Sequence, residues 1–463
     1  MLSSFRGIEV RMLRRVAACT LALSATMFAS VWHEKVLYSF QGPPDGAVPA
    51  GAMAFDKAGN LYGVTTLGGV GPCAPTQCGT VFQLQPPATK GGAWTEQVLH
   101  IFGGHAKGDG NTPAGGVIFD AAGNLYGTTA YGGTGNCVVL GSKSGCGTVF
   151  VMKPPATKGG KWTENVLYSF KSGKDGYLPN GDLVFDHAGN LYGATEFGGG
   201  FGSCDAPFYQ FCGTIFELSP PKVKSGKWTE KVLYHFKSGK DGANPNGGLV
   251  LDGVGNIYGT TYVGGSTTLC VFTGFVGCGT VFKLGKPGNP SGVWRERVLY
   301  AFTGLPSDGL HPVAGLARRS NGNLYGTTLG GGTQEDGVIF QLIPPTKGGT
   351  QWNETLIHNF SGGSDGGSTL TGLVPDFSGN FYGTSGGGAS RGGLLFRLNT
   401  SAANTDVATW NLSVLYNFTG SPDGYSPVSL VRAGTGVLYG ATLYGGTGQA
   451  CRGGCGAVFQ AKP

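Results

Sequence analysis

All seven tryptophans of the chain, Trp32, Trp94, Trp162, Trp228, Trp294, Trp352 and Trp410, open one phrase, written "WTENVLYSF" at 162–170. The phrase closes on Phe40, Phe102, Phe170, Phe236, Phe302, Phe360 and Phe418. A chain that uses every tryptophan this way is a tandem array, so the repeat and not the 463-residue length sets the domain count. After each phrase comes an Asp-Gly pair (Asp45, Asp109, Asp175, Asp241, Asp308, Asp365, Asp423), then an apolar run such as "GGVIFD", then a "DxxGN" turn. Next is "NLYGTT", its tyrosine recurring as Tyr62, Tyr126, Tyr192, Tyr258, Tyr325, Tyr382 and Tyr439. A variable glycine-rich loop leads to "GTVFQL", with Phe82, Phe150, Phe216, Phe282, Phe340, Phe396 and Phe459, and "PPATKGG" precedes the next tryptophan.

Each unit therefore holds four strand-length segments with apolar residues at alternate positions, bounded by Gly, Pro, Asp and Asn, and none shows a 3.6-residue period. With 88 glycines and 13% charged residues, this is the composition of short strands joined by tight turns. Four antiparallel strands, seven times over, predict an all-β chain folded as a seven-bladed β-propeller. A β-solenoid fits less well, because "FDAAGNLYG" reads as an antiparallel hairpin. Neither the Gly-His to Trp-Asp pairing of WD repeats nor an aspartate-box turn is present.

The first phrase has no inner strands before it, and the last repeat ends at "GAVFQ" without an outer strand. The two ends complete each other. Residues 32–40 are expected to join the C-terminal blade as its outer strand and close the ring.

Residues 1–29 are expected to be a signal peptide, with arginines at 6, 11, 14 and 15, an apolar run over 16–29 and the polar "HEK" after it. Met12 is an alternative start; "VAAC" at Val16–Cys19 mimics a lipoprotein box, but its apolar run follows the cysteine. Residues 30–463 then form one domain, placed outside the cytoplasm, secreted or periplasmic, with no membrane span in the mature chain. The formal charge of +6 falls to about +3 without the leader, so no nucleic-acid partner is implied.

Together "DxxGNLYGTT", "CGTVFxL" and "WTExVLYxF", recurring in order over about residues 32–461, resemble the Gloeo/Verruco (GloVer) tandem repeat of exported bacterial choice-of-anchor proteins. The resemblance implies an exported location, commonly with a sorting or anchoring tail, and no enzymatic activity. The chain departs from that pattern by ending "GAVFQAKP" without a hydrophobic tail, which puts anchoring in doubt.

Apart from Cys19, the cysteines fall as Cys73/Cys78, Cys137/Cys146, Cys204/Cys212, Cys270/Cys278 and Cys451/Cys455, each pair inside the loop between "LYG" and "GTVF". Those loops advance 16 or 20 positions, whereas the two without cysteine advance 11 and 10. Cysteines that appear with length and vanish with it are expected to be disulfide clamps. Their spacing, without nearby histidines, does not match zinc. Antiparallel order sends the cysteine loops and the Asp-Gly loops to one face, where side-chain variety and any binding specificity should concentrate.

No nucleophile with a base, no metal motif and no cofactor motif is present, so no catalytic residue, metal or cofactor is assigned. The repeated aspartates read as turn formers rather than calcium ligands or paired acids. Candidate ligand-binding residues are the aromatics of two cysteine loops, Phe208, Tyr209, Phe211, Phe272 and Phe275, and three arginines that break the repeat, Arg318, Arg319 and Arg432, expected near the channel mouth. The expected function is a non-enzymatic binding or scaffold module, its partner unknown, an extracellular glycan or protein, acting as a monomer. The alternative is a carbohydrate-active lyase or hydrolase with a central pocket.

Overall fold

The computed structural model describes residues 32–463 apart from 71–77, 140, 158, 201–211, 224–225, 266–269, 273–274, 290, 305, 347–348 and 401–408. Seven four-stranded antiparallel sheets form the ring of a β-propeller, with no α-helix among the described residues. Blade 1 runs from the channel outward as Gly46–Phe55, Leu61–Gly68, Thr80–Gln85 and Thr95–Ile101. In blades 2 and 3 the inner strand is interrupted, as Gly110–Pro113 with Ile118–Phe119 and Tyr177–Pro179 with Val184–Phe185. Blade 7 consists of Tyr425–Arg432, Leu438–Tyr444 and Ala457–Lys462, with His33–Ser39 as its outer strand. In that last pairing His33 faces Lys462, Val36 faces Phe459 and Ser39 faces Ala457.

One cross-strand pair explains two letters of the repeat. The glycine of "LYG" lies opposite the phenylalanine of "GTVF", Gly63 against Phe82 in blade 1, and a Cβ on Gly63 would stand 2.6 Å from the Phe82 ring. Small size is required there so that the ring can lie over the backbone. The outer face of each such ring receives the last aromatic of the preceding blade's tryptophan phrase, edge to face, as in Phe102–Phe150 at 5.2 Å and Phe170–Phe216 at 5.1 Å. The tryptophan reaches backward in the same way, Trp162 to Tyr62 at 5.6 Å and Trp228 to Tyr126 at 6.0 Å. These repeat aromatics thus work at the junctions, which gives neighbour-to-neighbour stabilisation of the kind repeat folds use.

The inner strands open on a residue with positive φ in every blade: Val48, Thr112, Leu178, Asn244, His311, Ser368 and Ser426. That conformation, uncommon for non-glycine residues, points the N–H at the preceding blade. Five of the seven donate to the carbonyl of a cysteine, for example Thr112 to Cys78 and Leu178 to Cys146 at 2.9 and 3.0 Å. Asp336 and Gly392 accept where the loops lack cysteine. Cys137–Cys146, Cys270–Cys278 and Cys451–Cys455 are disulfides. Cys78 and Cys212 are disulfide-bonded as well, and their expected partners Cys73 and Cys204 lie outside the described residues. The second cysteine of each loop therefore clamps the loop and carries the blade-to-blade hydrogen bond.

Candidate functional site

All seven inner strands line one axial channel with a cavity of about 480 Å³. Its narrowness follows from glycine: a Cβ on Gly51 would meet the Gly116 nitrogen at 2.3 Å, and one on Gly115 the Gly181 oxygen at 2.6 Å. Backbone packs on backbone there, and side chains with chemistry are few.

Blade 3 breaks this rule. Where the other inner strands carry Ala52, Gly116, Gly248, Gly315, Gly372 or Ser429, it carries Asp182. The carboxylate lines the channel and accepts the Gly116 N–H at 2.5 Å. Burial pushes its pKa up, opposed by hydrogen bonds from the backbone N–H groups of Gly116 and Ala52. Two residues earlier, Asn180 also lines the channel; its Nδ2 donates to Asn246 Oδ1 at 3.1 Å and reaches Glu196 Oε2 at 3.5 Å.

Glu196 occupies the variable position after "LYGAT", at the cysteine-loop end of the second strand. Burial lifts its carboxyl to about 7, against the hydrogen bond from Asn180. Three tyrosines lie within reach of its charge, Tyr131, Tyr177 and Tyr262, their hydroxyls held above the usual range by burial first and by the Glu196 charge second. All three are half-buried. His311 stacks on Tyr262, ring centroids 4.4 Å apart, and its Nδ1–H donates to the Tyr262 carbonyl at 2.9 Å. Burial lowers the His311 pKa, so the ring is neutral near pH 7 and Nε2 remains an acceptor.

These groups all come from blades 2 to 5. At the positions matching Glu196, blades 6, 7 and 1 carry Gly386, Leu443 and Thr66; at the positions matching His311 they carry Ser368, Ser426 and Val48. Sequence reasoning passed over Asp182 and Glu196. The available signal was "PNGDLVFD" against "PAGGVIFD", a charged residue at a channel-lining position where the other six blades carry Gly, Ala or Ser.

The residues singled out from sequence are dispersed. Phe208, Tyr209 and Phe211 lie outside the described residues. Phe272 and Phe275 are paired in register across a small hairpin of two-residue strands within the fourth cysteine loop. None of the three arginines lines the channel. Their strands end on the "DxxGN" face, two or more residues past the last channel-lining position, and their guanidinium groups lie over aromatic rings: Arg318 over Tyr258 at 5.7 Å, Arg319 over Phe381 at 4.7 Å, Arg432 over Phe377 at 5.3 Å.

One trio has metal-ligand chemistry among the described residues: His100, Asp109 and Glu164 place ligand atoms within 4.8 Å of one another. It lies where the end of blade 1's outer strand meets the start of blade 2's. His100 Nε2 bonds Asp109 Oδ2 at 3.1 Å, and Tyr38 and Tyr168 bond Asp45 and Asp175 from the matching positions. This recurrence makes the trio part of the repeat's rim rather than of the channel site.

The Gloeobacter/Verrucomicrobia repeat model matches residues 29–204, 137–384 and 268–463. The chain belongs to that repeat family. No curated protein matches it in sequence. Solved structures similar in outline include the calcium structure of a Trichoderma reesei carbohydrate-active enzyme of family AA12, 11% identical over 94% of this chain and 96% of that one, TM-score 0.44. A putative oxidoreductase (glucose dehydrogenase) from Thermus thermophilus is 14% identical over 75% and 95%, TM-score 0.42. A putative gluconolactonase is 12% identical over 94% and 93%, TM-score 0.38. Likeness at this level carries no argument about activity.

Proposed function

We propose that the protein is an extracytoplasmic binding module whose ligand, a neutral or weakly basic glycan, docks at the cysteine-face mouth of the channel across blades 2 to 5. The observation that carries this reading is the one-sided gathering of Asp182, Asn180, Asn246, Glu196, His311 and three half-buried tyrosines on an otherwise repetitive disc. Carboxyl, amide and imidazole groups supply both donors and acceptors for vicinal hydroxyls, and tyrosine faces stack on sugar rings. Export, with residues 1–29 as signal peptide and 30–463 as the mature domain, accords with five disulfide-bonded loops, because disulfides persist in oxidising compartments. None of the described helices is long and apolar enough to cross a membrane.

A glycan-array screen of residues 30–463 tests the reading: binding to a defined set of glycans is expected, and a blank array would overturn it. A second reading, a carbohydrate-active lyase or hydrolase, has one observation in its favour, two carboxyl groups with raised pKa on blade 3, Asp182 in the channel wall and Glu196 at the cysteine-loop end of the second strand. Incubation with the glycans that bind separates the two, since only an enzyme releases shortened or unsaturated products.

A further inference from the structure

On the face away from the cysteine loops, six of the blade junctions form an aromatic slot between the "LYG" tyrosine of one blade and the tryptophan of the next. At the junction of blades 5 and 6 that slot is occupied by the chain itself. The Arg319 guanidinium lies 5.1 Å from the Tyr325 centroid, 4.7 Å from Phe381 and 5.4 Å from Trp410, and its Nη2 donates to the Gly379 carbonyl. Arg319 stands where blades 1, 2, 3, 4 and 6 carry the turn aspartate, Asp56, Asp120, Asp186, Asp252 and Asp376. One repeat therefore holds an organic cation in this slot by ring faces and a carbonyl.

At the junction of blades 1 and 2 the slot is open. A cavity of about 670 Å³ is lined by Phe55, Tyr62, Phe119 and Trp162, with Asp56 and Asp120 at its edge. Tyr62 meets Phe119 at 5.0 Å, edge to face, and Trp162 at 5.6 Å, tilted, so ring faces of different orientation converge on one volume. Both carboxylates are fixed by the turn: Asp56 accepts the Ala58 and Asn60 N–H groups at 2.9 Å each and the Tyr62 hydroxyl at 3.0 Å, and Asp120 repeats these bonds. Lys57, the cationic residue of the lining, is exposed, and its charge is solvated.

We propose that this slot binds a small organic cation of the guanidinium or quaternary-ammonium class, taking on its ring faces and two carboxylates the place that Arg319 takes at the junction of blades 5 and 6. The site lies on the opposite face from the channel-mouth ligand site and does not depend on it.

Calorimetric titration with choline and methylguanidinium tests the proposal, with 3,3-dimethylbutanol as the uncharged isostere of choline. Saturable binding of the cations, at least tenfold tighter than the isostere, is expected; equal affinity for the isostere, or no cation binding, overturns the proposal. Two substitutions assign the site. Asp56→Arg copies blade 5, whose turn closes with arginine at this position through Arg319 N–H to the Asn323 carbonyl at 3.0 Å, and should remove one cation site. Arg319→Ala empties the slot between blades 5 and 6 and should add one. Unchanged stoichiometry in either folded variant overturns the proposal, and the Arg319→Ala result stands even where Asp56→Arg does not fold.

Discussion

Phe40, the last residue of the first tryptophan phrase, packs edge to face on Phe82 of blade 1 with ring centroids 5.1 Å apart, and both side chains are fully buried. The same contact recurs between consecutive repeats, as in Phe302–Phe340 at 5.1 Å and Phe418–Phe459 at 4.9 Å. Residues near the two ends of the chain meet in this seam, because His33–Ser39 is also the outer strand of the sheet that holds Ala457–Lys462.

The first prediction concerns that seam. Deleting residues 30–40 exposes the edge of Ala457–Lys462 and uncovers Phe82, so the whole disc should lose stability rather than one blade. Phe40→Ala alone should cost about 3 to 5 kcal/mol, the usual range for a buried phenylalanine. Chemical denaturation gives the number; an unchanged midpoint for the deletion would contradict the closure.

The second concerns the "LYG" glycine. Gly63→Ala places a methyl 2.6 Å from a ring that has no room to retreat, since Phe82 is held on its other side by Phe40. Overpacking of this kind costs about 1 to 3 kcal/mol. The same loss is expected for Gly127→Ala in blade 2, where the distance to Phe150 is again 2.6 Å, and thermal melts of both variants check it.

A third prediction follows from the rim. Glu34, Glu96, Glu164, Glu230, Glu296 and Glu354 each bury Oε1 without a hydrogen-bond partner. Burial first, and the facing Asp423, Asp45, Asp109, Asp175, Asp241 or Asp308 second, lift these carboxyls to about 7, or about 8 for Glu296. A carboxyl with a raised folded pKa binds more protons folded than unfolded, so it destabilises increasingly as pH rises from its unfolded value near 4.5 to about 7, and fully above that. Stability should therefore fall between about pH 5 and pH 8. Discounted for partial solvent access, Glu164→Gln should recover about 1 kcal/mol at about pH 8 and little at about pH 5. Blade 6 supplies an internal control, because Leu412 stands at the glutamate position beside Asp365. Urea titrations at the two pH values decide it; a flat pH profile would count against the account.

Disulfides give the fourth. Cys137 and Cys146 close a nine-residue interval, and removing the bond should cost about 2 to 3 kcal/mol in the chain-entropy account. Since the Cys146 carbonyl accepts the Leu178 N–H of the next blade at 3.0 Å, the double variant Cys137→Ala/Cys146→Ala should also speed hydrogen exchange at Leu178. Loss confined to the loop, with Leu178 as protected as before, would separate the clamp from the joint.

How much of this was legible in the sequence depends on whether a residue acts through repetition. Trp162, Tyr62, Gly63 and Phe82 act seven times over, so their spacing alone yielded blade number, strand order and the shared face of the loops. Asp182 acts once: a single glycine-to-aspartate change inside a turn-rich phrase has no period, and its meaning appears only when seven inner strands converge. Arg319 was visible as a break in the pattern, yet its direction was not, because whether a strand-end side chain turns to the channel or to the neighbouring blade depends on the rings waiting there. Glu196 sat among loop-flanking positions that vary freely, and only the reach of Asn180 from the adjacent strand marks it.

The central claim, that the mouth across blades 2 to 5 is the ligand site, is tested most directly by calorimetry of the glycan selected on the array against the wild-type protein and Glu196→Ala. At least tenfold weaker binding by the variant, with an unchanged melting temperature, is predicted; equal affinity for the two proteins would contradict it.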